Sequence, residues 1–139
     1  MSQSFTVFIN FDGNCKQAVE FYSKVFGVNP GMNMTYANAP ADPNNPMPAS
    51  FADKIMYTDL KIAGANVMFS DVPPDTEHNF GTNIILNIST SDENELRKWF
   101  DNLQDGGHII MPLGETFFAK MYGMVADKFG ICWNLLLEA

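Results

Sequence analysis

The sequence predicts an α+β fold of two βαβββ modules, and three observations carry that reading. Apolar runs of strand and helix character follow one another as β-α-β-β-β twice, with similar lengths, as an internal duplication of about 65 residues would produce. Each helical stretch ends at glycine, Gly27 in the first and Gly106-Gly107 in the second, where a left-handed backbone closes a helix at low cost. The chain finishes on two apolar runs that meet at Asp127-Lys128-Phe129-Gly130, a terminal hairpin. An unrelated α+β sheet with coincidental symmetry is the competing account. The 139 residues are read as a single domain with modules at about 1–72 and 80–139.

Residues 4–11, rich in β-branched and aromatic side chains, read as the first strand. Asp12-Gly13-Asn14 breaks the pattern, and Asp12 or Asn14 is suited to cap the helix that follows. In that helix Cys15, Ala18, Val19, Phe21, Tyr22, Val25 and Phe26 recur at three- and four-residue spacing. Residues 32–37 alternate weakly as a second strand, and residues 38–50, with Pro40, Pro43, Pro46 and Pro48, read as a long irregular loop. Strands at 54–62 and 66–71 are joined by Ala63-Gly64-Ala65, and an irregular stretch at 72–81 precedes a strand at 82–89. Thr90 to Glu95 then supplies a capped, acidic helix start, as the helix dipole favours. Leu96, Trp99, Phe100 and Leu103 form its apolar stripe. Residues 108–111, 117–125 and 131–137 complete the strands, with a loop from Pro112 to Glu115.

Composition excludes some classes of function. A net charge of −8 with eight scattered basic residues does not suit phosphate neutralisation, so no nucleic-acid partner and no acidic membrane surface is expected. No window approaches the roughly 20 apolar residues of a membrane span, and the start lacks a basic flank and an apolar signal core, so a cytoplasmic location is expected. Cys15 and Cys132, without Cys-x-x-Cys spacing, read as reduced structural thiols rather than a disulfide or redox pair.

The runs Asn10-Phe11-Asp12-Gly13-Asn14-Cys15, Val25-Phe26-Gly27, Ile62-Ala63-Gly64, Pro112-Leu113-Gly114-Glu115-Thr116 and Asp127-Lys128-Phe129-Gly130, with Phe21-Tyr22, Ser70-Asp71 and Trp133, occur in order along nearly the whole chain. Together they resemble the PhnB-like branch of the glyoxalase/bleomycin resistance/dioxygenase superfamily, the vicinal oxygen chelate fold. The resemblance implies a curved mixed sheet enclosing a cup, commonly in a homodimer. It also implies, for the superfamily's metal enzymes, four His or Glu ligands from the first and last strands of each module. At those positions this chain offers Val7 or Phe5, Met68 or Phe69, Asn83, and Asn134. None is a His, Glu, Asp or Cys, and amides are poor ligands for transition metals, so no metal and no cofactor is expected. Many relatives carry His near position 57, where this chain has Tyr57. His78 and His108 are expected to be solvated rather than ligating.

Other residues point to a small-molecule partner. In the last strand Cys132, Asn134 and Leu136 share one face and Ile131, Trp133, Leu135 and Leu137 the other. Asn83 and Asn87 sit on the alternate face from Ile84, Leu86 and Ile88. With Tyr57, Met68 and Phe117 these amides would orient a neutral, partly apolar ligand; the alternative is amides bonded to one another or packed at a dimer contact. The nine methionines read as an adaptable pocket or as ordinary core. Asp59 and Lys61 read as a solvated pair, and Asp127-Lys128 as a structural turn. Glu115 is the candidate catalytic group: burial at the rim would raise its pKa and suit it to acid/base work, against a structural carboxylate that accepts loop amides.

Two functions follow. The first is a metal-free binding protein; the second is an enzyme that isomerises, adds to or cleaves a small oxygenated substrate through Glu115 or a metal held elsewhere. A third label attached to the family is ubiquinone-precursor methyltransferase, but it needs a Gly-rich loop opening a helix, and Gly13 alone does not provide one.

Overall fold

The computed structural model describes residues 3–40, 43–44, 47–73, 76–79 and 81–138. Parts of the two proline-containing stretches, at 41–42, 45–46, 74–75 and 80, lie outside the described residues. The chain divides into two units, Met1–His78 and Asn79–Ala139.

The first unit contains β1 (Val7–Phe11), α1 (Cys15–Phe26), β2 (Asn33–Thr35), β3 (Ile55–Ile62) and β4 (Ala65–Asp71). Its sheet runs β1-β4-β3-β2, with β1 parallel to β4 and the other pairs antiparallel. A parallel pair needs a crossover, and α1 begins it. The second unit repeats the plan with β5 (Leu86–Thr90), α2 (Glu93–Gln104), β6 (His108–Gly114), β7 (Met121–Ala126) and β8 (Cys132–Leu137), in the order β5-β8-β7-β6. Here β5 and β8 are the parallel pair. Two βαβββ modules are therefore present, each a four-stranded mixed sheet with one helix.

Helix α1 buries Cys15, Ala18, Val19, Tyr22 and Val25, and the Tyr22 ring stacks on Phe69 of β4 at 5.8 Å. Gly27 ends the helix at φ +64°, as its place in the sequence required. The start differs from expectation, since neither Asp12 nor Asn14 caps it. Asn14 occupies the cap position without a side-chain bond, and Asp71, at the end of β4, accepts the Cys15 N–H at 2.9 Å. The other Asp71 oxygen accepts the Ile55 N–H at 3.0 Å, and its backbone carbonyl accepts the Tyr36 hydroxyl at 2.7 Å. With Cys15 fully buried, its N–H needs a partner inside the unit, which a strand-end carboxylate supplies.

The β3–β4 turn is tighter than the three residues expected. Ile62 pairs with Ala65, leaving Ala63 and Gly64 as a two-residue turn at φ +49° and +86°. Both signs match the primed turns that follow strand twist. Strand β2 is also shorter than expected, passing into a 3-10 turn at Tyr36–Asn38, and a second such turn spans Ala49–Phe51.

In the second unit the cap expected within Thr90 to Glu95 is Asp92, which accepts the Asn94 and Glu95 N–H groups at 3.0 and 3.3 Å ahead of an acidic first turn. Leu96, Trp99, Phe100 and Leu103 are buried beneath it. A Cβ on Gly123 of β7 would lie 2.8 Å from the Phe100 ring and 2.9 Å from Leu113, so this strand needs glycine where the helix packs. Strand β6 extends past the expected end and through Pro112, which an edge strand tolerates because one side of it needs no donor. Its register with β7 breaks between Ile109 and Met111 and again between Met111 and Gly114. At the hairpin, Asp127 is buried and accepts the N–H groups of Phe129 at 2.8 Å and Ile131 at 3.1 Å and the indole N–H of Trp133 at 2.9 Å. The Asp127-Lys128 step is structural, as read.

Two outcomes are expected. Replacing Asp71 by Ala strands two buried N–H donors, so Asp71→Ala should lose about 3 kcal/mol in urea unfolding; a loss under about 1 kcal/mol would show that water or another acceptor replaces it. Burial, and then the Asp71 charge, push the Cys15 thiol well above its ordinary range. A folded-state pKa raised above the unfolded value keeps stability intact below about pH 8.5 and loses it as pH rises beyond that. The melting temperature should therefore fall more steeply above about pH 8.5 in the native protein than in Cys15→Ala, and iodoacetamide should modify half-buried Cys132 before Cys15.

Candidate functional site

Because each helix covers one face of its sheet, register decides which side chains occupy the other, open face. In the second unit Trp133, Leu135 and Leu137 of β8 are buried on the α2 side, while Cys132, Asn134 and Leu136 are half-buried on the open side. This is the alternation read from the sequence. Asn134 has Asn87 of β5 and Met124 of β7 as its register partners, so the three form one row across the sheet. From the adjacent row, Tyr122 reaches diagonally to donate its hydroxyl to Asn134 Oδ1 at 3.0 Å.

Tyr122 was not singled out from the sequence, yet the signal was there. Counting back from the hairpin turn pairs Met124 with Asn134 and Tyr122 with Leu136, which puts the phenol on the amide's face. Asn83 was expected on that face of the same strand as Asn87, but β5 begins only at Leu86 and Asn83 is an exposed residue ahead of the strand. Lateral pairing with β8 sets this start, which the apolar run from Ile84 does not reveal.

Phe117 and Glu115 lie in the β6–β7 connection. Thr116 N–H bonds to the Ala119 carbonyl, and the Ala119 N–H bonds to Thr116 Oγ1, each at 3.1 Å, closing a tight turn. Phe117 stands fully exposed on that turn, edge-on to Phe118 at 5.3 Å, and Phe118 in turn meets Tyr122 at 5.1 Å. An open cleft of about 430 Å³ is lined here by Glu115, Phe117, Phe118, Lys120, Leu136 and Glu138 among others. The Glu115 side chain is exposed, in contrast to the burial expected of it, because the turn projects beyond the strands that would have covered it.

The first unit's open face is different. Phe8 of β1, Met68 of β4 and Asp59 of β3 form one row. Val7 pairs with buried Val67, and Phe69 is buried against Tyr22, so Val7 and Phe69 belong to the α1 side, while Phe5 precedes β1 and is exposed. Tyr57, also on the open side, donates its hydroxyl to Asp59 Oδ2 at 3.2 Å. Loss of hydration, and then the Asp59 charge, raise the Tyr57 phenol above its ordinary pKa. Asp59 Oδ1 accepts the N–H groups of Gly31 and Met32, each at 3.1 Å. The Asp59–Lys61 pair expected from the sequence does not form among the described residues, because those backbone donors engage the carboxylate instead. His78, expected to be solvated, bonds through Nε2 to the Asn10 carbonyl at 2.9 Å, whereas His108 is exposed at the start of β6.

These faces do not fit the superfamily's divalent metal. The open rows offer Phe8, Met68 and Asp59 in one unit and Asn87, Asn134 and Met124 in the other, with the single carboxylate already holding a loop. Among the described residues no three His, Cys, Asp or Glu side chains come together as a metal ion needs. No helix among them is long and apolar enough to cross a membrane.

The model of a family described as 3-demethylubiquinone-9 3-methyltransferase matches residues 3–136. Protein YjdN of Escherichia coli (strain K12) is 32% identical over 135 residues, covering 92% of this chain and 90% of that protein. The PhnB protein from Bacillus cereus superposes with a TM-score of 0.79 at 27% identity, over 98% of this chain and 100% of its own. A glyoxylase/bleomycin resistance protein/dioxygenase domain from Frankia sp. EAN1pec superposes with a TM-score of 0.67 over 100% and 99% of the two chains. At 12% identity that last likeness shows the fold alone.

Proposed function

The chain belongs to the 3-demethylubiquinone-9 3-methyltransferase family, the PhnB-like branch of the glyoxalase/bleomycin resistance/dioxygenase superfamily, and we propose that it binds a small, partly apolar molecule without a metal. The observation that carries the reading is Asn134, a neutral amide held by Tyr122 in the middle of an open sheet face, with Met124, Leu136 and Cys132 around it. Such a surface gains free energy by releasing water from apolar atoms and uses few polar groups to orient what it binds. Asn87 and Asn134 supply those groups, and the cleft beside Phe117 gives the apolar part of a ligand somewhere to lie. Tyr57 and Met68 offer a second, separate polar–apolar face on the first unit.

The family's methyltransferase description is a label that this site does not favour. A cofactor carrying a carboxylate or phosphate is commonly held at a helix N-terminus, but Asp71 already occupies the start of α1 and Asp92 that of α2. An enzyme working through Glu115 is supported by its place at the cleft, yet its carboxylate is exposed rather than buried at the rim. The proposal includes a homodimer, supported by exposed Ile84, Ile109, Ile110 and Met111, and a cytoplasmic location, supported by two free cysteines.

The test is native mass spectrometry with metal analysis on protein purified without chelator or nickel resin. A bound molecule of definite mass, lost in Asn134→Leu, is the expected result, together with a dimeric mass. One tightly held metal per chain, or measurable S-adenosylmethionine binding by calorimetry, would overturn the reading in favour of an enzyme.

A further inference from the structure

The amide of Asn134 has a carbonyl oxygen that accepts and an NH2 group that donates, and which of them a ligand meets depends on what holds the other. The Tyr122 hydroxyl lies 3.0 Å from Asn134 Oδ1. A phenol donates strongly and accepts weakly, because its oxygen lone pair is delocalised into the ring, whereas an amide oxygen is among the best neutral acceptors. The favoured pairing is therefore O–H to Oδ1. Phe118 packs edge-on against the Tyr122 ring at 5.1 Å and 70°, which restrains the phenol that makes this bond. With one lone pair of its oxygen engaged, the amide is held in the orientation that leaves its NH2 group to meet a ligand.

We propose that Tyr122 is a positioning residue that sets Asn134 as a hydrogen-bond donor, so that the site selects molecules presenting an acceptor oxygen or nitrogen beside an apolar ring or chain. This rests on the small-molecule reading above and sharpens it to a class: ketones, esters, ethers, amides through their carbonyls, and heteroaromatic nitrogens. Molecules whose only polar group is a donor are disfavoured, because donor would face donor at the NH2 group and Tyr122 already takes one lone pair of the amide oxygen. Of the surrounding side chains, Met124 and Leu136 offer at most a weak thioether acceptor, and the one amide acceptor in the row is Asn87, the β5 partner of Asn134.

Two bicyclic probes of similar size test this. 1-Indanone carries a carbonyl acceptor and no donor; indole carries an N–H donor and no comparable acceptor. In protein labelled with ¹⁵N, the Asn134 side-chain NH2 resonances are identified by their disappearance in Asn134→Asp, and each probe is titrated to millimolar concentration. The expected result is that 1-indanone shifts the Asn134 NH2 pair and binds at least about tenfold more tightly than indole. In Tyr122→Phe the amide is free to rotate, and the preference should fall to about threefold or less while the backbone spectrum stays native. Indole binding as tightly as 1-indanone in the native protein would overturn the donor assignment and leave the small-molecule reading standing. An undiminished preference in Tyr122→Phe would remove Tyr122 from the role. If neither probe shifts any resonance of the open face, the small-molecule reading fails and this inference falls with it.

Discussion

The Asp71 carboxylate is the constraint on which the first unit depends. Among the described residues no cation pairs with it; its oxygens take one N–H from the start of α1 and one from the start of β3, while its own carbonyl holds Tyr36. Three segments distant in sequence are thereby fixed at the end of β4. The second unit uses the same device at a different point, where Asp127 gathers two backbone N–H groups and the Trp133 indole at the β7–β8 turn. A buried carboxylate surrounded by N–H donors offsets its desolvation through charge-assisted hydrogen bonds, and it penalises any arrangement that misplaces one of them. Register follows from these anchors, and register decides which side chains stand on the open faces.

Those faces share a topology and differ in chemistry. In the first unit the open row includes a carboxylate, Asp59, already committed to the Gly31–Met32 backbone and the Tyr57 hydroxyl. In the second the row is neutral, with amides at Asn87 and Asn134. The two units share the order of elements and the parallel pairing of first and last strands, while the side chains on their uncovered surfaces differ.

What was legible in the sequence was local. Gly27, a capped acidic start of α2, the terminal hairpin and the alternation through Trp133, Asn134 and Leu135 depend on residues close together in the chain, and all were readable. The features that were not readable depend on distant partners. The cap of α1 comes from Asp71, 56 positions from Cys15, so no local pattern announces it. The resemblance put Val7 or Phe5 at a ligand position, but it does not say which face the helix covers; pairing with buried Val67 puts Val7 on the α1 side. Asn83 lies outside the open face of β5 because pairing with β8 begins at Leu86. Glu115 was expected to be buried from its apolar neighbours, but those neighbours, Phe117 and Phe118, are themselves exposed.

The irregular edge strand β6 has a bearing on solubility. An exposed strand carrying Ile109, Ile110 and Met111 would ordinarily invite another chain to add to the sheet and seed fibrous aggregates. Pro112 removes one backbone donor from β6, and the two register breaks on either side of Met111 bend what remains. A neighbouring chain therefore meets no straight run of donors and acceptors to continue. The apolar side chains can stay outward for association through their surfaces, while open-ended growth by strand addition is blocked at the backbone.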